Sequence, residues 1–315
     1  MAFAFGKIIL FGEHSVVYDR RAIAASLPIP IESKVSESPD GKTRLLIPAW
    51  DLNHCLNELP AFSRTLDMAV AKLLELTGLQ HKPMTIEVTP HLTSGAGLGS
   101  SAAICVSILR SLSETYDLGL DDAQVCAHAF EAERIFHGNP SGLDNTISTY
   151  GGMMLFQKGE PPLIEQLSCR TTIPLVVALS GQPGDTKKTV AIVRERWQQN
   201  PAAYEFLFDA VDQVVGKAEQ AIRENDLKTL GLLMTHNHGI LRTLGVSTTH
   251  LDVLGDIARK HGALGAKLTG GGGGGAVIAV CAPERSDAIV QAIRGEGYQA
   301  FSTVLTPYSA STVAA

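Results

Sequence analysis

The chain has 315 residues, of which 45% are hydrophobic and 18% charged, with a formal net charge of −6; these are values of an ordinary globular protein with room for two domains, each with its own core. The acidic balance and the lack of a dense Lys/Arg run argue against a nucleic-acid partner, and no run of about 18 uncharged apolar residues offers a membrane span. Five cysteines, Cys55, Cys105, Cys126, Cys169 and Cys281, form no CxxC pair and leave one over in any disulfide scheme, which suits a reducing cytoplasm.

The opening MAFAFGKIILFGEH has no basic leader and is interrupted by Lys7 and Glu13, so it reads as a buried strand and not as a signal peptide. Residues 5–11 form that strand and close on the turn-like Gly12-Glu13-His14; residues 22–31, 43–47 and 85–89 are further extended segments. Residues 62–76 place Leu66, Val70, Leu73 and Leu74 on one helical face, with Gly78 as the stop. A Gly/Ser turn opens a helix with Ile104, Ile108 and Leu112 four apart, and Asp121 caps another that ends at Gly138. After Gly151-Gly152 come a strand, 153–156, and a polar stretch with prolines near 158–162. A strand at 173–179 starts the second domain, with helices at 189–197, 204–224, 227–244 and 251–261. The chain closes with a strand at 266–269, six glycines at 270–275, a strand at 276–281 and a helix at 286–294. A glycine run is ordinarily a flexible linker, but its place between two short strands favours close backbone contact.

The stretch TSGAGLGSSAA, from Thr93 to Ala103, sets three glycines at alternate positions and two serines against the start of a helix. Glycine lets backbone approach a ligand, and the free N–H groups of a helix start attract an anion, so the natural guest is a phosphate. It is not a Walker loop, because Ser100 and Ser101 follow Gly99 with no lysine. It is not a dinucleotide fingerprint either: the spacing is GxGxG, and Glu114 and Asp117 fall at a helix end instead of a strand. A plain strand-to-helix connection remains open for such a turn taken alone.

Four blocks occur in order over nearly the whole chain: GKIILFGEHSVVY from Gly6, TSGAGLGSSAA from Thr93, ERIFHGNPSGLDN from Glu133 and KLTGGGGGG from Lys267. As a set they resemble the GHMP kinases. The resemblance implies an α+β fold of two domains: a ribosomal protein S5 domain 2-like N-terminal domain over 1–172, with phosphate loop and catalytic base, and a ferredoxin-like C-terminal domain over 173–315. It further implies an ATP-dependent phosphoryl transfer to a small alcohol, assisted by Mg²⁺. In such a transfer the protein chiefly positions the reactants and neutralises charge.

On this resemblance Lys7, Gly95, Ala96, Gly97, Leu98, Gly99, Ser100 and Ser101 bind ATP, and Ser101 with Glu133 offers hard oxygen ligands to Mg²⁺. Asp144 matches the catalytic base and Lys7 the lysine paired with it, whose ammonium favours the carboxylate and the loss of a hydroxyl proton. Glu13, His14, Asp144 and Thr186 match the acceptor site, with His14 as a hydrogen-bond donor and Lys187 attracting a carboxylate. On position alone other readings stand: Asp144 as a helix N-cap, Glu133 as a solvated charge, Lys7 as a snorkelling strand lysine, His14 as a loop residue and the Thr186 segment as a Gly/Pro turn. His236 and His238, two apart on a helix, point in different directions and make a poor metal site.

The GEHSVVY form matches members acting on mevalonate, in isoprenoid synthesis, better than galactokinases, whose block typically reads GEHTDY. A sibling acting on homoserine, phosphomevalonate or a sugar, or a silent nucleotide-binding relative, stays as the alternative, although the chain keeps Lys7, Ser101, Glu133 and Asp144. Dimers are common in this family, and the apolar helices suit one. The chain departs from the usual APGK with Phe5, from a glycine after VVY with Asp19-Arg20-Arg21, and from TGAGGGGC at Gly271 and Ala276.

Overall fold

The computed structural model describes residues 1–56, 64–91, 97–138 and 140–306. The chain divides into two compact units that interleave in sequence. One comprises Met1–Gly6, Ile29–Thr93 and Gly99–Gly151, the other Lys7–Pro28, Ser94–Leu98 and Gly152–Ala315. Part of the interleaving arises in two long strands, β1 (Ala2–Phe11) and β2 (Arg21–Glu37), each with residues in both units. β2 runs past the predicted end at 31 because Ile31, Ser33 and Val35 keep the inward alternation. Ser33 hides that alternation from a hydrophobic pattern, since its hydroxyl serves the core by donating to Ser107 O at 2.5 Å.

In the first unit, β3 (Arg44–Ile47), β4 (Leu52–Cys55) and β5 (Met84–Pro90) join the C-terminal half of β2 in the order β4-β3-β5-β2. Only the β3–β5 pairing among these is parallel. Four helices accompany this sheet: α1 (Thr65–Leu76), α2 (Ser100–Tyr116), α3 (Asp122–His137) and α4 (Leu143–Tyr150). α2 packs against β5 and all three other helices, so residues 102–109 are buried without a polar face.

In the second unit, the opening of β2 pairs with β6 (Met153–Gln157), and β6 with β7 (Leu163–Gln166). The remaining strands are β8 (Ile173–Leu179), β9 (Ala263–Thr269), β10 (Ala276–Cys281) and β11 (Gln299–Leu305). They form an antiparallel sheet ordered β11-β8-β10-β9, which in chain order is fourth, first, third, second, the ferredoxin-like arrangement. The helices are α5 (Thr186–Gln199), α6 (Pro201–Glu224), α7 (Leu227–Leu244), α8 (Thr249–Lys260) and α9 (Ser286–Gly295). Phe208 of α6 and Leu241 of α7 share one apolar core with Val176, Leu254, Leu268 and Ile289.

Two glycines set how closely α7 lies on β9. A Cβ built on Gly265 would sit 1.7 Å from Gly231 O, and one on Gly231 would sit 2.5 Å from the Leu264 carbonyl carbon. Among the described residues no helix is long and apolar enough to cross a membrane.

Candidate active site

The second unit brings together the end of β1, the tail of the phosphate loop, the glycine run and the start of α5. Lys7 is buried in β1, and its N–H donates to Leu98 O at 2.7 Å, which joins the strand to the loop. Two residues on, Ile9 N–H donates to Thr269 Oγ1 at 2.9 Å and Ile9 O accepts that hydroxyl at 3.0 Å. The lysine is thus enclosed, and the snorkelling reading falls away.

Glu13 and Lys267 form an ion pair with no side-chain exposure. Lys267 also donates to Leu268 O at 2.7 Å and Ile9 O at 3.4 Å, while Glu13 Oε2 accepts from Asn237 Nδ2 at 3.2 Å. Burial pushes the Glu13 carboxyl up and the Lys267 ammonium down, and their mutual attraction opposes both shifts. The charge of Lys7 bears on each of them.

His14 sits in the left-handed region, at φ 62°, and leads into a 3-10 turn over Ser15–Tyr18. Its Nε2 lies 2.8 Å from Gly271 O, a pure acceptor, so Nε2 carries the hydrogen. Burial lowers the His14 pKa to about 4, so at neutral pH the ring is neutral and Nδ1 is an acceptor. The expected donor is therefore spent inside the protein, and the ring can offer a ligand only an acceptor.

The glycine run is close-packed backbone, as its position between strands suggests. Gly273 N–H donates to Val246 O and Gly275 N–H to Gln182 O, both at 2.8 Å. A Cβ on Gly272 would meet Val246 O at 2.2 Å, on Gly274 Pro183 O at 2.7 Å, and on Gly270 Gly97 O at 3.1 Å. Thr186 opens α5 behind Asp185, whose carboxylate accepts Lys188 N–H at 2.9 Å. A Cβ on Gly271 would fall 2.7 Å from Thr186 Oγ1, so glycine here, where relatives usually carry alanine, admits the threonine closely. Lys187 is exposed beside it.

The first unit holds the other half of the set. Gly97 and Leu98 fall in the second unit and Gly99 onward in the first; Gly95 and Ala96 lie outside the described residues. Gly99 caps α2 from the left-handed region, at φ 73°, with no side-chain cap, and Ser100 and Ser101 are the first two helical residues. The first-turn N–H groups of α2 are therefore not taken by a capping side chain, the arrangement that receives a phosphate.

Glu133 is buried on α3 and is no solvated charge; His137 Nε2 lies 3.3 Å from its Oε2. Burial, reinforced by the Glu133 carboxylate, holds the Cys105 thiol well above its usual range. Ser101 stands one turn before Cys105 on the same face of α2, so its hydroxyl belongs to the side that Glu133 confronts. Among the described residues no group of three or more His, Cys, Asp or Glu is placed to hold a metal ion. A hydroxyl and a carboxylate do suit Mg²⁺, which prefers oxygen and keeps positions for phosphate and water.

Asp144 is the second residue of α4, and the cap is Gly142, at φ 89°, so the N-cap reading does not hold. Its half-buried carboxylate is carried by a short helix fixed through its neighbours. Asn145 Nδ2 donates to Cys126 O at 3.1 Å, Thr146 Oγ1 to Gly142 O at 2.6 Å, and Arg110 to Thr149 O at 2.7 Å.

Sequence reading gives no role to Lys267, Thr269 or Asn237. Their partners are 254, 260 and 224 residues away, beyond any local pattern. His238 is structural: Nδ1 accepts Leu268 N–H at 3.2 Å, leaving Nε2–H to Asp252 at 3.0 Å, and burial lowers its pKa.

Two family descriptions match the chain in order: GHMP kinases N terminal domain over residues 64–152 and GHMP kinases C terminal over 218–299. The mevalonate kinase of Thermococcus sibiricus is 36% identical over 318 residues, spanning 94% of this chain and 93% of that protein. The mevalonate kinase of Methanothermobacter thermautotrophicus is also 36% identical, over 91% of each chain. The crystal structure of L. major mevalonate kinase in complex with R-mevalonate superposes with a TM-score of 0.82 at 30% identity, covering 98% of this chain and 96% of its own. Relatives this similar over nearly their whole length, together with both family descriptions in sequence order, place the chain among the GHMP kinases.

Proposed function

We propose that the chain transfers the γ-phosphoryl group of ATP to the 5-hydroxyl of mevalonate, giving 5-phosphomevalonate for isoprenoid synthesis. The observation that carries this reading is the likeness to mevalonate kinases over 94% of the chain, which keeps Lys7, Ser101, Glu133 and Asp144. Five free cysteines suit the cytoplasm as its place of work.

The first-turn N–H groups of α2, with the loop before them, hold the nucleotide phosphates. Ser101 and Glu133 hold Mg²⁺, which when bound offsets phosphate charge that this loop, lacking a Walker lysine, does not neutralise by itself. Asp144 accepts the proton of the acceptor hydroxyl. Lys7 supplies positive charge to the reacting oxygens beside that base, the pairing that the family resemblance implies. His14, through Nδ1, accepts from a donor on the acceptor molecule, and Thr186 adds a hydroxyl. Residues 1–172 then carry nucleotide and base, and 173–315 complete the acceptor side.

The test is ADP release coupled to a reporter, with mevalonate, phosphomevalonate, homoserine and galactose as acceptors. Mevalonate should give the highest kcat/KM, and Asp144→Asn should lower kcat by about 10²–10⁴ while the thermal midpoint holds. A higher kcat/KM on another alcohol overturns the substrate, and full activity in Asp144→Asn overturns the base.

A further inference from the structure

The turn after β1 has two residues, His14 and Asp19, in the left-handed region at φ 62°, and neither is glycine. Backbone of that kind persists only where its surroundings hold it. Here one face of α6 does so. Glu205, Phe208, Asp209 and Asp212 recur at i, i+3, i+4 and i+7, and every one of them meets residues 18–21. Tyr18 stacks on Phe208 with ring centroids 4.2 Å apart. Arg20 donates to Glu205 Oε2 at 2.6 Å, to Asp209 Oδ1 at 2.7 Å and, through Nη1, to Tyr18 O at 2.8 Å. Arg21 meets Asp212 as a fork, Nε to Oδ1 at 2.9 Å and Nη2 to Oδ2 at 2.6 Å, and its backbone N–H donates to the same Oδ1 at 3.0 Å.

An isolated surface ion pair contributes little, but Asp212 fixes a side chain and its backbone together, in fork geometry and within a network. What it fixes reaches His14 through Gly12, because the turn closes on itself: a Cβ on Gly12 would sit 2.5 Å from Ala22 Cα and 2.7 Å from Arg21 O. Gly12 O in turn accepts Val16 N–H at 3.1 Å, and His14 O accepts Val17 N–H at 3.0 Å. We propose that Arg21 and Asp212, with Arg20 in support, are positioning residues for the acceptor: they pin this turn to α6, so that the His14 ring keeps its bond to Gly271 O and offers Nδ1 to the acceptor molecule. This rests on the acceptor role given to His14 above. α5, which opens with Thr186, also packs on α6, so one helix steadies both acceptor-side candidates.

The experiment compares wild type, Arg21→Gln, Asp212→Ala and the double variant, with kcat and both KM values measured well below each thermal midpoint. Asp212→Ala, which releases side chain and backbone together, should raise the KM for mevalonate about 10-fold and leave the KM for ATP within about 2-fold. Arg21→Gln keeps the backbone bond and should raise the mevalonate KM about 3-fold, and in the Asp212→Ala background it should add less than about 2-fold. A merely structural role would lower the fraction of active enzyme, and so kcat, without moving either KM. The His14 ring gives a second mark: its Nε2–H signal in heteronuclear NMR, assigned by its loss in His14→Gln, should exchange with water at least about 10-fold faster in Asp212→Ala. A folded Asp212→Ala whose mevalonate KM rises less than about 3-fold, or whose two KM values rise together, overturns the inference, as does an unchanged Nε2–H exchange. If Asp212→Ala does not fold, Arg21→Gln decides: a selective rise of about 3-fold supports the role and a mevalonate KM within about 1.5-fold of wild type overturns it. If wild type prefers another alcohol, the substrate reading falls alone, and the same KM comparison on that alcohol decides for the pair. If no acceptor reacts, the Nε2–H exchange decides, with faster exchange as support and unchanged exchange as refutation.

Discussion

α2 and α3 are neighbours of nearly equal length, and they begin in opposite ways. α3 closes its own start: Asp121 accepts Gln124 N–H at 2.8 Å, and the Gln124 side chain accepts Asp121 N–H at 3.0 Å. α2 begins at a left-handed glycine with no side-chain cap. The first arrangement satisfies donors from within and adds about 1 kcal/mol. The second forgoes that stabilisation and leaves the donors without a side-chain acceptor, a start that suits an anion. α4, which carries Asp144, also starts uncapped behind a glycine, whereas α5 to α8 are capped by Asp185, Asn200, Asp226 and Thr248. The two uncapped glycine starts belong to the helices of the candidate residues Ser101 and Asp144, whereas Glu133 and Thr186 stand on helices with side-chain caps.

Making α2 begin as α3 does is the strongest way to break the contrast. Gly99→Asp places an acceptor and a negative charge on the phosphate position, and kcat/KM for ATP should fall by about 100-fold, read by initial rates against nucleotide concentration. Unchanged nucleotide kinetics would show that the start of α2 holds no phosphate. A smaller effect tests what lies on the faces of the two helices. Ser101→Ala and Glu133→Gln should each raise the Mg²⁺ concentration at half-maximal rate by about 10-fold, and an unchanged Mg²⁺ titration removes them from the metal. The smallest effect belongs to the closed start: Asp121→Ala should cost about 1 kcal/mol in denaturant unfolding and leave kcat within about 2-fold. A comparable loss of activity there would erase the distinction.

The same local chemistry decides how much was legible in the sequence. The helix at 227–244 and the strands at 173–179 and 276–281 have the bounds their apolar periods predict. α5 and α6 start earlier than the apolar pattern does, because the caps Asp185 and Asn200, the latter with Pro201 behind it, set the start ahead of the first buried residue. α4 gives no pattern: LDNTISTY is rich in weak helix formers and is held by Cys126 and Arg110 from other elements. β4 and β7 are four residues each, too short for a period, and β7 is largely exposed. The glycine turn, Glu133 and Asp144 could be proposed as site residues from sequence because blocks with special backbone needs stay together in it. The Glu13–Lys267 pair was not, since each residue alone looks like an ordinary charge and only the fold joins them.

The seam where Gly231 meets Gly265 has a bearing on which neighbours of this sequence can exist. Because an added Cβ at either position would overlap the facing backbone, even a single methyl group there would prise the helix off the sheet and carry Asn237 and His238 away from Glu13 and Leu268. Residues that a propensity scale counts as weak points in a helix and a strand thus act as the gauge that fixes the depth of the polar network beneath them.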